Sequence, residues 1–155
     1  PKEVYDWGSY KYCNGSESTL TKYNYSSYYG TVDHKTTLEW NDDAAYVNWG
    51  SNWRMPTKTE QDELRNNCTW IWTNLNGVTG YIVTSNTNGK SIFLPAAGYR
   101  NSSSLNNAGN HGYYWSSSHY LDYPSNAYSI CFDKKAVERT HFSRYCGLSV
   151  RPVCP

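Results

Sequence analysis

The chain carries little net charge and lacks any long apolar segment. Lys and Arg together number 14 against 13 Asp and Glu, and the basic residues are scattered along the sequence. Because nucleic-acid-binding proteins gather basic residues into a patch that meets the phosphates, we expect no nucleic-acid partner. No apolar run approaches the roughly 18 residues typical of a membrane span. We therefore expect no direct membrane insertion, with any export signal or anchor upstream of Pro1.

The cysteines form no recognisable metal or redox motif. They stand at positions 13, 68, 131, 146 and 154, without a CxxC pair and without zinc-finger spacing to any histidine. Because five cysteines cannot all pair within one chain, one disulfide among Cys13, Cys68 and Cys154 and a set of five free thiols are both open. We predict no metal site and no cofactor.

Motifs for catalysis are missing as well. No GxSxG sequence accompanies the histidines, and the acidic residues show no EF-hand spacing. We therefore expect a protein that is not an enzyme. Four carboxylates near the first predicted helix are assigned to helix capping and loop hydrogen bonds, rather than to a calcium site: Asp33, Glu39, Asp42 and Asp43.

Aromatic residues, by contrast, are abundant, and the chain holds 16 Tyr and 7 Trp. Residues 99–146 alone contain seven Tyr, nine Ser, five Asn and two Gly. Tyr supplies stiff, amphipathic contact area, while Ser, Asn and Gly supply adaptable hydrogen bonding, which is the composition of antibody paratopes. This region is therefore predicted to be a recognition surface.

Two helices are predicted before residue 68. Asp42 and Asp43 precede an apolar stretch at 44–49 that ends at Gly50, which indicates a short helix. Thr57 and Glu60 then form a capping box for a second helix, whose buried stripe is predicted to continue through Leu64 and Cys68.

After Cys68 the apolar pattern alternates, which predicts an antiparallel sheet and an α+β fold. Within one strand, Tyr128, Ile130 and Phe132 are predicted to face the core, and Ser129 and Cys131 to face solvent or ligand. A long loop is expected at 98–114. Strands are predicted at 4–10, 69–73, 80–85 and 91–94, with a type I′ turn at Asn88-Gly89 before the last of these. Residues 127–132 and 136–140 are predicted to form a hairpin around Asp133-Lys134-Lys135, and residues 149–153 a closing strand.

Several longer strings make the chain resemble the Fibrobacter major paralogous domain family of exported Bacteroidetes proteins, which has a C-type-lectin-like fold. The strings are Asp42-Asp43-Ala44-Ala45, Trp49-Gly50, Trp53-Arg54-Met55-Pro56-Thr57 with Glu60 and Leu64, Phe93-Leu94-Pro95-Ala96-Ala97-Gly98-Tyr99-Arg100, Trp115-Ser116-Ser117-Ser118, and Gly147 with Ser149-Val150-Arg151-Pro152-Val153. The resemblance implies a single domain over 1–155, with an N-terminal wrap and first helix at 1–52, scaffold at 53–98, a variable ligand-binding region at 99–146 and a closing strand at 147–155. The chain has no EPN or QPD loop of the calcium-dependent lectins, and Trp40-Asn41-Asp42 precedes the first helix.

The C-terminal half also resembles the variable region of proteins diversified by retroelements, which mutate template adenines. Asn codons of the AAC type then yield Tyr, Ser, His, Asp, Leu, Phe, Arg, Thr or Cys, but not Trp, Lys, Glu, Gln or Met. The positions that fit this restriction are 119–123, 129, 131, 140–143, 145 and 146, whereas Lys134, Lys135 and Glu138 do not fit.

The resemblance implies an exported adhesin or receptor-binding module that captures a protein or glycan ligand at the cell surface, in the extracellular space or on a phage particle, attached to a larger surface assembly. Two alternatives are open: an enzyme like the formylglycine-generating enzymes, with Cys131 and Cys146 as its reactive pair, and a structural pilus-tip or phage-fibre domain. The predicted ligand-binding residues are Asn101, Ser102, His111, Tyr113, His119, Tyr120, Leu121, Asp122, Tyr123, Ser129, Cys131, Thr140, His141, Phe142, Arg144 and Tyr145.

Overall fold

Two short helices and three antiparallel sheets make up the computed structural model, which describes residues 2–154. The helices are α1 (Ala44–Trp49) and α2 (Lys58–Asn66). The strands are β1 (Cys68–Leu75), β2 (Val78–Ser85), β3 (Ser91–Pro95), β4 (Tyr99–Asn101), β5 (Ser104–Asn106), β6 (Gly112–His119), β7 (Asn126–Phe132) and β8 (Val137–Ser143). They form sheets in the orders β1-β2-β3, β4-β5 and β6-β7-β8. The predicted α+β class is confirmed, and β-structure predominates.

Both predicted helices are present, and each begins at the expected capping residue. The Asp43 side chain accepts hydrogen bonds from the backbone amides of Ala45 and Tyr46, which starts α1. The Thr57 hydroxyl accepts from the Glu60 amide at 3.2 Å, and the Glu60 carboxylate accepts from the Thr57 amide at 2.8 Å. This reciprocal pair is the capping box that the sequence predicts. No helix among residues 2–154 is long and apolar enough to cross a membrane.

The core is aromatic and lies where the β1-β2-β3 sheet meets the β6-β7-β8 sheet. Phe132 is 1% exposed, and its ring centroid lies 5.3 Å from that of Tyr81 and 5.8 Å from that of Tyr114. Leu64 of α2 packs against this cluster. At Gly112 an added Cβ would approach the Phe132 ring to 2.0 Å, so the ring can pack there only over a glycine.

The buried tyrosines of the core have hydrogen-bond partners for their polar ends. Tyr114 donates its hydroxyl to the Pro95 carbonyl at 2.8 Å, and Tyr81 donates to the Asp133 carbonyl at 2.9 Å. Because an unpaired buried hydroxyl is costly, these bonds allow tyrosine to serve as a core residue here.

The hairpins differ in part from the sequence predictions. Asn88-Gly89 does not form a two-residue type I′ turn, because Gly89 has a positive φ and Asn88 does not, and five residues join β2 to β3. Asn76 and Gly77 have φ values of 50° and 84° and join β1 directly to β2 as a two-residue turn. The predicted hairpin around Asp133 is confirmed as β7 and β8.

Three predicted segments are wrong. Residues 4–10 are not a strand, because Asp6 caps a single 3₁₀ turn at Trp7–Ser9. Residues 149–153 make only single bridges, at Ser149 and Val153, and Pro152 between them has no amide to donate to a ladder. The predicted long loop at 98–114 contains the β4–β5 hairpin.

The N-terminal segment, residues 2–43, is held by side chains rather than by a sheet. Arg144 is 8% exposed and donates to the Tyr10 hydroxyl at 2.9 Å and to the carbonyls of Lys22 at 3.0 Å and Tyr23 at 3.2 Å. A fourth bond goes to the Pro124 carbonyl at 2.8 Å. One buried guanidinium therefore fixes the N-terminal segment to the end of β8.

Candidate functional site

The side chains of the β6-β7-β8 sheet divide between two faces. In the strand register Tyr113 lies opposite Cys131, and Cys131 lies opposite Glu138. Because successive residues of a strand point to opposite faces, these side chains share one face, while Ile130 and Phe132 point into the core. We call the first face the outer face.

An open cleft of about 350 Å³ lies on this outer face, and we call it the sheet cleft. Five of the sixteen predicted ligand-binding residues line it: His111, Tyr113, Cys131, Thr140 and Phe142. The remaining lining residues are Phe132, Asp133, Ala136 and Glu138. Residues up to 31 positions apart in the sequence thus meet at one site, because the central strand β7 pairs with both β6 and β8.

Aromatic rings form the firm wall of the sheet cleft. The Tyr113 ring contacts the Phe142 ring edge-on with centroids 5.2 Å apart, and Tyr99 packs against both at 4.9 Å and 5.4 Å. The His111 ring stacks on Tyr113 at 6.0 Å with an interplanar angle of 12°. The Tyr113 hydroxyl accepts from Asn107 Nδ2 at 3.1 Å. These contacts hold the rings in a fixed arrangement.

The floor of the cleft carries a thiol that is protonated at neutral pH. Burial raises the pKa of Cys131 to about 11, with smaller contributions from the carboxylates of Glu138 and Asp133. Burial also raises the pKa of Cys146. Since the thiolate is the reactive form of cysteine, neither side chain is activated as a nucleophile. Cys13, Cys68, Cys131 and Cys146 are free thiols.

Three further predicted residues, Tyr120, Tyr123 and His141, lie on the opposite face of the same sheet. With Tyr128, which was predicted to face the core, they form a group that we call the loop cluster. The Tyr120 ring stacks on His141 at 3.9 Å and contacts Tyr128 edge-on at 5.2 Å. His141 also forms a 2.8 Å hydrogen bond with Asn126, between Nδ1 and Nδ2. His141 therefore does not join its chain neighbours Thr140 and Phe142 in the sheet cleft.

The β6–β7 loop beside this cluster is exposed. Leu121 is 58% exposed and Tyr123 is 51% exposed, and Asp122 between them is exposed as well. These three predicted positions are free to meet a partner, although they face away from the sheet cleft. The predicted ligand surface is thus two surfaces, separated by the sheet.

Among the predicted ligand-binding residues, Ser129 and Arg144 are buried and the half-buried His119 has both ring nitrogens enclosed, which corrects the assignment of these three. Ser129 is fully buried, although the alternating pattern placed it on the ligand face. Arg144 donates three hydrogen bonds to the N-terminal segment and a fourth to the Pro124 carbonyl. His119 stacks on Tyr23 at 5.1 Å, and burial lowers its pKa to about 4. The N-terminal segment covers part of the sheet at this end, which sequence alternation does not reveal.

The remaining predicted residues lie apart from both groups. Asn101 and Ser102 are exposed in the β4–β5 hairpin, and Ser102 exchanges two backbone hydrogen bonds with Tyr5. Tyr145 is half-buried and packs edge-on against Trp7 at 5.0 Å. Tyr145 therefore contributes to the attachment of the N-terminal segment.

The four carboxylates assigned to capping and loop bonding have such partners. Asp43 caps α1 and also accepts from the Met55 amide at 2.9 Å, and Asp33 accepts from the amides of Tyr23 and Asn24, both at 2.9 Å. Burial alone would raise the pKa of Asp42, but hydrogen bonds from Lys22, Tyr12 and Tyr23 hold it well below its usual range. Glu39 forms ion pairs with Lys22 and Lys35. Within residues 2–154 no group of three His, Cys, Asp or Glu side chains is arranged to hold a metal ion.

Two acidic residues of the sheet cleft, Asp133 and Glu138, were missed in the prediction from sequence. Both lie in the hairpin that the sequence does predict. Once Phe132 pairs with Val137, Cys131 must pair with Glu138, so the register of that hairpin was the signal that could have found Glu138. Composition alone could not identify Glu138, because the composition signal consists of Tyr, Ser and Asn.

The model of one protein family, described as a domain of unknown function (DUF8237), matches residues 78–153 of this chain. The matched segment contains β2 to β8, and with them the sheet cleft and the loop cluster. No curated protein and no solved structure matches the chain.

Proposed function

We propose that this chain is an exported binding module of C-type-lectin-like fold, whose sheet cleft is a diversified surface that captures a protein or glycan ligand. The observation that carries the proposal is the convergence of His111, Tyr113, Cys131, Thr140 and Phe142 on one open cleft. The sequence predicts all five as ligand-binding residues, and the pairing of β6, β7 and β8 brings them together.

The strand geometry supports diversification of this surface. Cys131, Thr140 and Phe142 belong to residue types that mutated AAC codons yield, and all three face the cleft. Their neighbours Ile130 and Phe132 face the core and are 3% and 1% exposed. Because side chains alternate between faces, one face of the sheet can vary while the other keeps its packing.

The strings that carry the family resemblance contact one another as a scaffold would. Arg54 and Val153 exchange two backbone hydrogen bonds, of 3.0 and 2.9 Å. The Ser117 amide donates to the Pro56 carbonyl at 2.8 Å, which joins two further strings. Arg54 also forms a two-bond pair with the Glu60 carboxylate, at 2.7 and 2.5 Å. The resembling residues thus join distant parts of the chain to one another, and the positions that fit adenine mutagenesis lie outside these strings.

The protonated thiols favour binding over the alternative of an enzyme that uses a reactive cysteine pair. Both Cys131 and Cys146 have pKa values raised by burial, whereas a catalytic cysteine requires a lowered pKa. A buried thiol of this kind acts as a small apolar surface.

The proposal is tested by sequencing the locus in many independent isolates. We expect substitutions concentrated at adenine-templated codons, including those of Cys131, Thr140 and Phe142, with Phe132 and Ile130 unchanged, and a reverse transcriptase with a template repeat nearby. Substitutions spread evenly over core and cleft positions would contradict the proposal.

A further inference from the structure

We infer that the sheet cleft takes a cationic side chain of a protein ligand, and that an arginine guanidinium fits it best. This inference rests on the proposed function, since it assumes that the cleft is the ligand site. It goes further by naming the chemistry of the group that enters. Three features of the cleft carry it: its aromatic wall, its two carboxylates and the absence of an ion-pair partner for Glu138.

The aromatic wall provides ring surface on which a planar cation can stack, chiefly that of Phe142. Tyr113 is only 7% exposed and holds Phe142 edge-to-face at 5.2 Å, so the partly exposed Phe142 ring is fixed with surface toward the cleft. A guanidinium is planar, weakly hydrated and attracted to the negative face of an aromatic ring. The cleft volume of about 350 Å³ is sufficient for the end of one long side chain.

Two carboxylates lie at the end of the cleft near the β7–β8 turn. Glu138 is exposed on β8 directly opposite Cys131, and Asp133 is half-buried at the start of the turn. Asp133 already accepts from the amides of Lys135 and Ala136 through Oδ1, which orients the carboxylate and leaves Oδ2 for a further donor. A guanidinium that stacks on the wall can donate to both carboxylates.

Several carboxylates elsewhere in the molecule form ion pairs with a lysine or an arginine. The pairs are Asp42 and Glu39 with Lys22, Glu60 with Arg54, and Asp62 with Arg65 and Arg139. Asp133 has basic neighbours, because His111 Nε2 lies 3.9 Å from its Oδ2 and its pKa is lowered by a backbone hydrogen bond from Lys135 and by the charge of that lysine. Glu138, by contrast, forms no ion pair within residues 2–154. The cleft therefore presents one exposed carboxylate without a paired cation, beside a second that is only partly compensated.

The position of Glu138 also bears on which part of the cleft stays constant. Glutamate is not among the residues that mutated AAC codons yield, so Glu138 would persist while Cys131, Thr140 and Phe142 change. Diversification would then alter the shape of the cleft around a constant acidic residue. A preference for cationic groups would be common to the variants, and shape would distinguish their ligands.

The inference is tested by titrating the whole chain with Nα-acetyl-arginine methylamide and following backbone amide signals by NMR. Nα-acetyl-citrulline methylamide, which has nearly the same shape without the charge, is the matched probe. We expect saturable shifts at Cys131, Thr140 and Phe142 with a dissociation constant of about 1–10 mM. Citrulline should bind about tenfold more weakly, since it forms neither the ion pair nor the cation–π contact.

Two variants separate the cleft from general surface charge. Glu138→Gln should weaken arginine binding about three- to fivefold, the effect of one exposed ion pair. Glu63→Gln, at an exposed position of α2, should leave binding unchanged. Equal binding of arginine and citrulline, or equal loss in both variants, would overturn the inference. Arginine binding can fail while substitutions are still confined to adenine-templated codons, and in that case the proposed function stands with a different ligand chemistry.

Discussion

The two faces of the β6-β7-β8 sheet use the same strands for opposite purposes. On the inner face, Phe132 and Ile130 are almost fully buried and pack into an aromatic core shared with β1-β2-β3. On the outer face, Cys131 and Phe142 line an open cleft and are only partly buried. Residues adjacent in sequence are thus subject to different constraints: packing on one face, and recognition on the other.

The outer face is itself divided. Near the β7–β8 turn it is open as the sheet cleft, whereas near the β6–β7 loop Tyr23 and Arg144 of the N-terminal attachment line a second cavity of about 260 Å³ together with His119. The ring nitrogens of His119 and the whole of Ser129 are buried, although their residue types suit a ligand surface. We make three predictions that separate the buried surfaces of the sheet from the open cleft, in order of decreasing expected effect.

Truncating one phenylalanine on each face measures the difference directly. Phe132→Ala should lower the free energy of unfolding by about 3–5 kcal/mol, because it leaves a cavity among Tyr81, Tyr114 and Trp70. Phe142→Ala should cost about 1 kcal/mol, since its ring is partly exposed in the cleft. Urea unfolding followed by circular dichroism gives both values. Equal losses would mean that the outer face is core rather than a binding surface.

The second prediction concerns the buried guanidinium that closes the outer face. Arg144→Lys keeps the charge but cannot reproduce four hydrogen bonds to Tyr10, Lys22, Tyr23 and Pro124. We expect a loss of about 2–3 kcal/mol in the free energy of unfolding, together with faster hydrogen exchange in residues 10–24.

Arg139→Lys is the matched control for this substitution, because Arg139 lies on β8, which ends just before Arg144, but pairs with Asp62 at the surface. Exposed ion pairs contribute little, so the control should change stability by less than about 0.5 kcal/mol. A similar small change for Arg144→Lys would show that the N-terminal segment is held by other contacts.

Local signals in the sequence predicted the parts of this fold that are local in the structure. The capping box of Thr57 and Glu60 lies within one helical turn, and the hairpin after Phe132 joins strands that are adjacent in the chain. Composition marked the region that contains His111, Cys131 and Thr140, and the pairing of its strands brings these residues together. Their assignment to a ligand site stays a prediction.

Sequence reasoning could not find the features that depend on distant segments. Arg144 reads as a polar surface residue until Tyr10 and Tyr23, more than 120 positions earlier, are placed beside it. Strand alternation predicts that the Ser129 side chain faces outward, but other parts of the fold bury it completely. The separation of His141 from Phe142 was predictable from strand alternation, and the composition of the region obscured it.

The third prediction is an acid sensitivity located where the outer face is closed. His119 stacks on Tyr23, both of its ring nitrogens are buried without a hydrogen-bond partner, and burial with the nearby Arg144 lowers its pKa to about 4. In the unfolded chain the pKa of histidine is about 6.5. Between these two values the unfolded state binds a proton that the folded state does not, so the free energy of unfolding falls as the pH drops below about 6.5.

We expect a loss of about 2 kcal/mol between pH 7 and pH 5, measured by urea unfolding at each pH. The paired carboxylates act at lower pH, since the ion pair with Arg54 lowers the pKa of Glu60 to about 2, and its stabilisation is lost only below the unfolded value of about 4.3. His119→Phe keeps the ring on Tyr23 and should abolish the loss above pH 5, whereas His34→Gln, at an exposed histidine, should retain it. If His119→Phe kept the full pH dependence, the N-terminal segment would not close this end of the sheet against water.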